Sequence, residues 1–318
     1  MKSAAFFLAL AFPLSAVAAT RVFVSGNGMD MGACPITAPC RSFSYALTQL
    51  VAPGEVIALD TAGYGTVTIP FSVTITAAPG ATAFVAASSG TAIAVNTLQT
   101  DVVTLRGLAV TSTGATTGIN FDAGLLNVEN CVITGFTDYG ILFIASGANT
   151  GPLLQVINTT VRNSGWGVMA LHFGAGTAGD GLPANGAYVT VAKSLFDGNS
   201  PGGLAGQDNA RIAVSDTVFT GNFYGVFVEG SADNAVAVMA VDRCHFSTNY
   251  WAVVAGQGLA TLRGIMRVAN STVTGNTNGL EAFGADGQIL SRVSNGVYSN
   301  TVEGNHSDGT FTGTYSAK

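Results

Sequence analysis

The sequence is poor in charge. Asp, Glu, Lys and Arg together make up 9% of its 318 residues, where ordinary soluble domains carry roughly 25%. With 12 basic and 18 acidic side chains, the net charge is −6. That excludes a clustered positive surface for a nucleic-acid backbone and a polybasic segment for anionic membranes. Histidine is scarce as well. His172, His245 and His306 lie far apart and no Cys-x-x-Cys occurs, so neither a zinc set nor any other metal site is expected. The Gly-rich stretch Gly174–Gly181 lacks the strand-to-helix context of a phosphate loop, and no cofactor is implied. Beyond the N-terminus, Gly, Asn, Thr and Ser interrupt every apolar run, so no segment reaches the ~20 apolar residues of a membrane span.

What is present begins with an export signal. Lys2 precedes an apolar run from Ala4 to Leu14, which ends in Ala16-Val17-Ala18-Ala19. A charge, an apolar core and small residues at a cleavage site mark a secretory signal peptide. Residues 1–19 are therefore expected to be removed. The mature chain, 20–318, is expected in the periplasm or outside the cell. Of four cysteines, Cys34 and Cys40 bracket a Pro-containing loop. In an oxidising compartment they are expected to form a disulfide.

The organising feature is a repeat. Units start at Val128, Val156, Val191, Val214, Val241 and Val268. Two residues later comes a polar residue, three later a small one, and five later Ile133, Val161, Phe196, Phe219, Phe246 or Val273. Eight later, Asn199, Asn222, Asn249 and Asn276 recur, followed by a step that is usually Gly and another apolar run. Periods of this length mean a solenoid. Gly, Asn and β-branched residues exclude helical repeats. Short apolar runs between Gly/Asn turns read as strands, three per coil. The fold class is therefore all-β, a single-stranded right-handed parallel β-helix. Equivalent residues then stack at ~4.8 Å, and the Asn column can hydrogen-bond amide to amide along the stack.

Upstream, residues 56–59, 66–69, 73–75, 92–95, 103–105 and 108–110 also read as strands. Residues 42–51 have apolar residues at helical spacing and are expected to form a short capping helix, within an N-terminal cap spanning 20–52. The polar tail, 295–318, is expected to fold over the other end, since solenoid ends expose core and strand edge. Cys131 and Cys244 share one repeat position four units apart, hence ~19 Å at the inter-strand spacing. That is too far for a disulfide, and they belong to a buried small-residue column with Thr159, Ser194, Thr217 and Ser271.

The chain resembles a family of bacterial secreted right-handed parallel β-helix proteins within the pectin-lyase-like superfamily. The likeness rests on Val22-Phe23-Val24-Ser25-Gly26, on Cys34 with Pro39-Cys40-Arg41-Ser42-Phe43, and on Gly63-Tyr64-Gly65-Thr66-Val67-Thr68-Ile69. At the C-terminal end it rests on Val302-Glu303-Gly304-Asn305 with Asp308-Gly309. The resemblance implies extracellular polysaccharide as substrate or ligand. Fold alone does not transfer activity. The Asn-Thr-Asp, Asp-Asp, Gly-His-Gly and Arg-Ile-Lys signatures of polygalacturonase-like hydrolases are missing, since Gly206-Gln207-Asp208-Asn209 lacks a second Asp and His245 lies in Cys-His-Phe. The acidic calcium cluster of pectate-lyase-like enzymes is not evident either.

Three columns are candidate sites. A row before the Gly step reads Tyr139, Trp166, Pro201, Tyr224, Trp251 and Asn278. Its rings either stack on sugar faces or simply on one another. Past the following strand, His172, Gln207, Gly230 and Gln257 take equivalent steps, with Asp208 and Glu229 one place to either side. Segments 146–152, 173–187 (with Asp180) and 230–234 (with Asp233) follow on the same side. Loops on one face of a solenoid often form its binding face. Carboxylates of Asp208 and Glu229 on adjacent rungs suit two-carboxylate glycoside chemistry, with His172 as acid or base. The plainer reading is polar residues where the chain leaves a strand. Third, Lys193, Asp216 and Arg243, with Asn130, Asn158 and Asn270, form a structural charge ladder.

The leading expectation is a secreted module that binds polysaccharide through Tyr139, Trp166, Tyr224, Trp251, Gln207 and Gln257. The alternatives are a polysaccharide lyase or glycoside hydrolase using Asp208, Glu229 and His172, and a structural or adhesive surface protein.

Overall fold

A computed structural model describes residues 19–146, 153–173, 186–230, 235–256, 263–283, 287–292, 294–301 and 311–314. The chain winds as a parallel β-solenoid. Each coil contributes one strand to a first sheet, one to a second and one to a third, and these sheets hold twelve, ten and nine strands. A representative coil runs through Leu125–Glu129, Val132–Thr134 and Tyr139–Ser146. Every strand pairing is parallel, so the sheets differ only in which part of the coil they stack.

The repeat read from the sequence is the register of the fold. Val128, Val156, Val191, Val214, Val241 and Val268 lie side by side in the first sheet. Ile133, Val161, Phe196, Phe219, Phe246 and Val273 do so in the second. Both columns are buried. The rings of Phe196, Phe219 and Phe246 stack at 5.0 Å between centroids. Such contacts add ~0.5–1.5 kcal/mol per pair beyond burial.

Polar columns run beside the apolar ones. Asn199, Asn222, Asn249 and Asn276 are buried, and Asn222, Asn249 and Asn276 each accept two hydrogen bonds and donate at least two. Asn222 Nδ2 donates to Asn249 Oδ1 and to the Phe196 carbonyl, each at 3.0 Å. Its Oδ1 accepts from the Asn199 backbone N–H at 2.9 Å and from Asn199 Nδ2 at 3.0 Å. Ser164 starts the column in place of an Asn, donating its N–H to Asn199 Oδ1, and Asn300 ends it.

The small-residue column is a second ladder. The backbone N–H of Cys131 donates to Thr159 Oγ1, that of Thr159 to Ser194 Oγ and that of Ser194 to Thr217 Oγ1. Cys131 and Cys244 are buried and unpaired, as expected. Burial pushes their thiols up, to about 11 and about 12 respectively, which leaves them protonated and inert.

The column of Asn130, Asn158, Lys193, Asp216, Arg243 and Asn270 has a cause beyond charge. All six residues have φ between 48° and 52°, the left-handed region that L-residues enter at a cost and Asn tolerates best. Ladder contacts fix them there. Asn158 donates to Asn130 at 2.6 Å and Arg243 pairs with Asp216 at 2.8 Å.

At the N-terminal end, strand Ala19–Val24 pairs with Leu50–Ala58, and Cys34 and Cys40 form the expected disulfide. Helix α1 covers Phe43–Thr48, shorter than the expected 42–51. Ser42 is its N-cap, accepting from the Tyr45 N–H. Gln49 ends it because Leu50 already belongs to a strand of the first sheet. Phe43, Ala46 and Leu47 are its buried side. Residues 20–52 are proposed to cap this end.

Of the tail expected to fold over the other end, the described strands Gly296–Tyr298 and Gly313–Thr314 extend the second and first sheets, and residues 315–318 lie outside the described residues. The tail's polarity reflects ladder duty, since Asn295 Oδ1 accepts from the Ser271 N–H and Asn300 Oδ1 from the Asn276 N–H. Residues 1–18, the bulk of the expected signal, lie outside the described residues, as does 302–310. No described helix is long and apolar enough to cross a membrane.

Removing one rung of the Asn column strands several buried partners at once, each worth ~1–3 kcal/mol. Asn222→Ala is expected to cost roughly 3–5 kcal/mol in chemical denaturation. Asn300→Ala, at the column's end, is expected to cost about half as much or less.

Candidate binding face on the third sheet

Along each strand of the third sheet, side chains alternate between core and exterior. Val168, Leu204, Val226, Val253 and Leu280 point into the solenoid core. The other face is also apolar. Met169, Ala205, Phe227 and Val254 form a separate buried cluster, with Tyr139, Trp166, Tyr224 and Trp251 packed around it. Met169, Ala205, Phe227 and Val254 are buried, so the accessible apolar part of this side, and the candidate interaction surface, is the ring-bearing entry edge of the sheet.

The expected aromatic row exists, with one correction. Tyr139, Trp166, Gly202, Tyr224, Trp251 and Asn278 are register partners. Gly202, not Pro201, therefore holds the middle place. The physical reason is steric. A Cβ on Gly202 would lie 2.3 Å from Trp166 Cζ3. The gap lets the indole lie across that coil and stack on Tyr224, 6.0 Å between centroids with planes 7° apart. Trp166 also contacts Phe227 at 5.9 Å. Asn278 closes the row, buried, with its Nδ2 donating to the Tyr250 carbonyl.

Pro201 belongs instead to a neighbouring column that the sequence reading missed. The N–H groups of Tyr224, Trp251 and Asn278 donate to the carbonyls of Pro201, Phe223 and Tyr250, placing these three residues on successive coils at the sheet's entry. All three are exposed. Phe223 and Tyr250 keep 39% and 46% of their surface in water, yet their rings stack at 4.9 Å with a 12° tilt. Each stands edge-on to its chain neighbour, Tyr224 or Trp251. The doublets Phe223-Tyr224 and Tyr250-Trp251 were the available signal. The result is an open two-ring platform backed by half-buried rings.

At the exit of the same strands lie the candidate acids. The expected alignment shifts by one residue. Gln207 pairs with Glu229, and His172 with Asp208, whereas His172 had been expected beside Gln207. Asp208 takes a left-handed φ of 58°, breaking the alternation at the strand's end. His172, Asp208 and Glu229 are all buried rather than standing at the solvent boundary. Gln207 Nε2 donates to Glu229 Oε1 in a short bond, and Glu229 Oε2 has no hydrogen-bond partner among the described residues.

Burial raises the Glu229 carboxyl above its ordinary pKa, and the charge of Asp208 adds to that, while the Gln207 bond opposes it. Burial and the charge of Glu229 together raise Tyr224, so the acid and the aromatic row share one electrostatic neighbourhood. Gln257, Asp180 and Asp233 lie outside the described residues. Among the described residues no group of three or more His, Cys, Asp and Glu side chains is arranged to hold a metal.

Glu229 makes a signed pH prediction. Its folded-state pKa lies above the ordinary 4.5. The stability it contributes is thus fully present below the unfolded value and is lost as pH rises through the folded one. Glu229→Gln keeps an acceptor for Gln207 and removes that loss. Thermal melts across pH 4 to 8 should show a higher Tm for the variant near neutrality and no gain at the acid end.

Residues 106–302 match the family model described as a right-handed β-helix region. No curated protein sequence matches the chain. Among solved structures, it is similar to the pectate lyase Pel9A, at 13% identity and a TM-score of 0.49, over 91% of this chain and 80% of that one. It is also similar to the Dettilon tailspike protein (gp208), again at 13% and 0.49, over 88% of this chain and 62% of the tailspike. The family match spans well over half of the sequence and coincides with the coils whose ladders define the fold: the chain belongs to the right-handed β-helix region family.

Proposed function

We propose that this chain is an exported β-helix module that binds extracellular polysaccharide along the aromatic face of the third sheet. The observation that carries the reading is the exposed Phe223–Tyr250 platform, continuous with Pro201 and backed by Trp166, Tyr224 and Trp251. Pyranose rings present apolar C–H faces, and the stacked pair of rings on successive coils offers them an exposed aromatic surface. Rigid β-coils hold these rings in place before a ligand arrives, which lowers the ordering cost of binding. Gln207 supplies a polar contact at the far edge of the same face, and Gln257 is proposed for a similar role. The disulfide and the N-terminal segment support export.

A second reading, a glycoside hydrolase or lyase, is favoured by Glu229. A buried carboxyl with a raised pKa beside a second acid is the arrangement of a general acid, with Asp208 and His172 as its partners in proton transfer.

One experiment separates the two. The folded mature chain is incubated with immobilised polysaccharides, and both retention and released products are measured. Retention without products is expected. Tyr250→Ala and Phe223→Ala, both at exposed sites, should weaken retention roughly 3- to 10-fold each, about 1 kcal/mol per lost ring, with Tm nearly unchanged. Products that vanish in Glu229→Gln would instead establish the enzyme. Unaltered retention in both ring variants would remove the aromatic face from the account.

A further inference from the structure

The first sheet has an edge at the N-terminal end of the solenoid, formed by strand Ala19–Val24. One side of this strand faces its neighbour Leu50–Ala58, and the Val24 carbonyl accepts there from the Leu59 N–H. The other side carries the groups to which a second chain can add a strand. The disulfide loop lies on it. The Phe23 N–H donates to the Cys34 carbonyl and the Phe23 carbonyl accepts from the Cys40 N–H, each at 2.9 Å. The Ser25 N–H donates to the Cys40 carbonyl, also at 2.9 Å, so that Val24 and Cys40 form a parallel bridge.

The two residues that cover the edge are the two cysteines, and their bond ties the partner of the Phe23 N–H to the partner of the Phe23 carbonyl. Other contacts shape the loop. The Asp30 carboxylate accepts from the N–H groups of Arg41 and Ser42 and from the Ser42 hydroxyl, at 2.8 to 2.9 Å. Gly28 approaches so closely that a Cβ there would lie 2.2 Å from the Cys40 carbonyl oxygen. Met29, Met31 and Ile36 are exposed, so the loop is itself the surface at this end. The strand beneath carries few guards of its own. It has no proline, and its one charge, Arg21, is taken up by Glu55 at 2.7 Å.

We infer that the disulfide loop is a strap over an assembly edge, and that the partner of the uncovered edge is a second copy of this chain. Phe23 turns both its N–H and its carbonyl outward. That is the arrangement of a hydrogen-bonded antiparallel pair, in which two opposed residues exchange both bonds. Two copies related by a two-fold axis can pair Phe23 with Phe23, a self-complementary contact that closes as a dimer. The strap supplies the same two bonds from within the chain. Because Cys34 and Cys40 are joined, both are present together or lost together. The inference is independent of the binding function proposed above.

The test is Cys34→Ala/Cys40→Ala in the mature chain, read by light scattering and by hydrogen exchange. At low protein concentration, exchange at the Phe23 and Ser25 amides is expected to rise roughly 10-fold or more over the wild type. Amides of the Asn-column coils, untouched by the changes, report that the solenoid is intact. As concentration rises, the mass is expected to double relative to the wild type and the two amides to regain protection. Adding Phe23→Pro removes the outward donor at an edge, where a strand tolerates proline, and is expected to abolish the doubling. Wild type opened by a dithiol reductant, which leaves as its own disulfide and turns Cys34 and Cys40 into thiols, repeats the measurement with no residue changed. Unchanged exchange after loss of the disulfide overturns the strap. Faster exchange with no change in mass overturns the assembly edge. Doubling that survives Phe23→Pro, or growth beyond two copies, overturns the pairing through Phe23.

Discussion

Everything in this molecule depends on one constraint: a coil of a parallel solenoid satisfies most of its buried polar groups through the same positions of the coils above and below. The Asn column states this most clearly. Asn222 accepts from the backbone and side chain of the previous coil and donates to a carbonyl of that coil and to the side chain of the next, and Asn249 repeats the pattern. A slip of one residue would break every one of these bonds and turn core side chains outward. The hydroxyl ladder and the left-handed column impose the same register at the other corner of the coil. Two corners are thereby fixed mostly by amides, hydroxyls and backbone, which accounts for a composition so low in ionic residues.

A locked register has a functional consequence. Once the Asn column is in place, the residue just after Asn222, Asn249 and Asn276 falls at the entry of the third sheet. Substituting rings at that position builds an aligned surface with no further structural invention. Phe223 and Tyr250 stand there, Tyr224 and Trp251 stand one residue further on, and Pro201 reaches the same entry two residues after Asn199. Gly202 shows how closely the face is fitted, since only a missing side chain lets Trp166 reach Tyr224. At the opposite edge the same strands end in Gln207, Asp208 and Glu229, where burial rather than a partner charge sets the state of the acid.

The columns were legible in the sequence because their period is counted in residues, and each column repeats a residue type for a physical reason. What was not legible follows from the same logic. Pro201-Gly202-Gly203 offers two alignments of the Gly step, and only the steric demand of the Trp166 indole selects one. His172 and Asp208 align because each lies six residues after the register partners Trp166 and Gly202, and an offset counted from Gly202 as the Gly step inherits the same one-residue error. The left-handed column was read as charge alone, since Lys193, Asp216 and Arg243 carry no backbone signature of their own. Following one residue per coil hid the exposed member of each aromatic doublet. The helix was overrun because Leu50 and Val51 continue an apolar pattern that the first sheet, not the helix, uses.

The central claim is that a polysaccharide lies on the aromatic face of the third sheet. Both tryptophans of the chain, Trp166 and Trp251, belong to that face, which makes intrinsic fluorescence a reporter confined to it. The most direct measurement is a fluorescence titration with oligosaccharides cut from whichever polymer retains the protein. A saturable change in tryptophan emission, with a midpoint matching retention and shifted by Tyr250→Ala, is the predicted result. Retention of the polymer with tryptophan emission unchanged through saturation would place the ligand elsewhere and contradict the account.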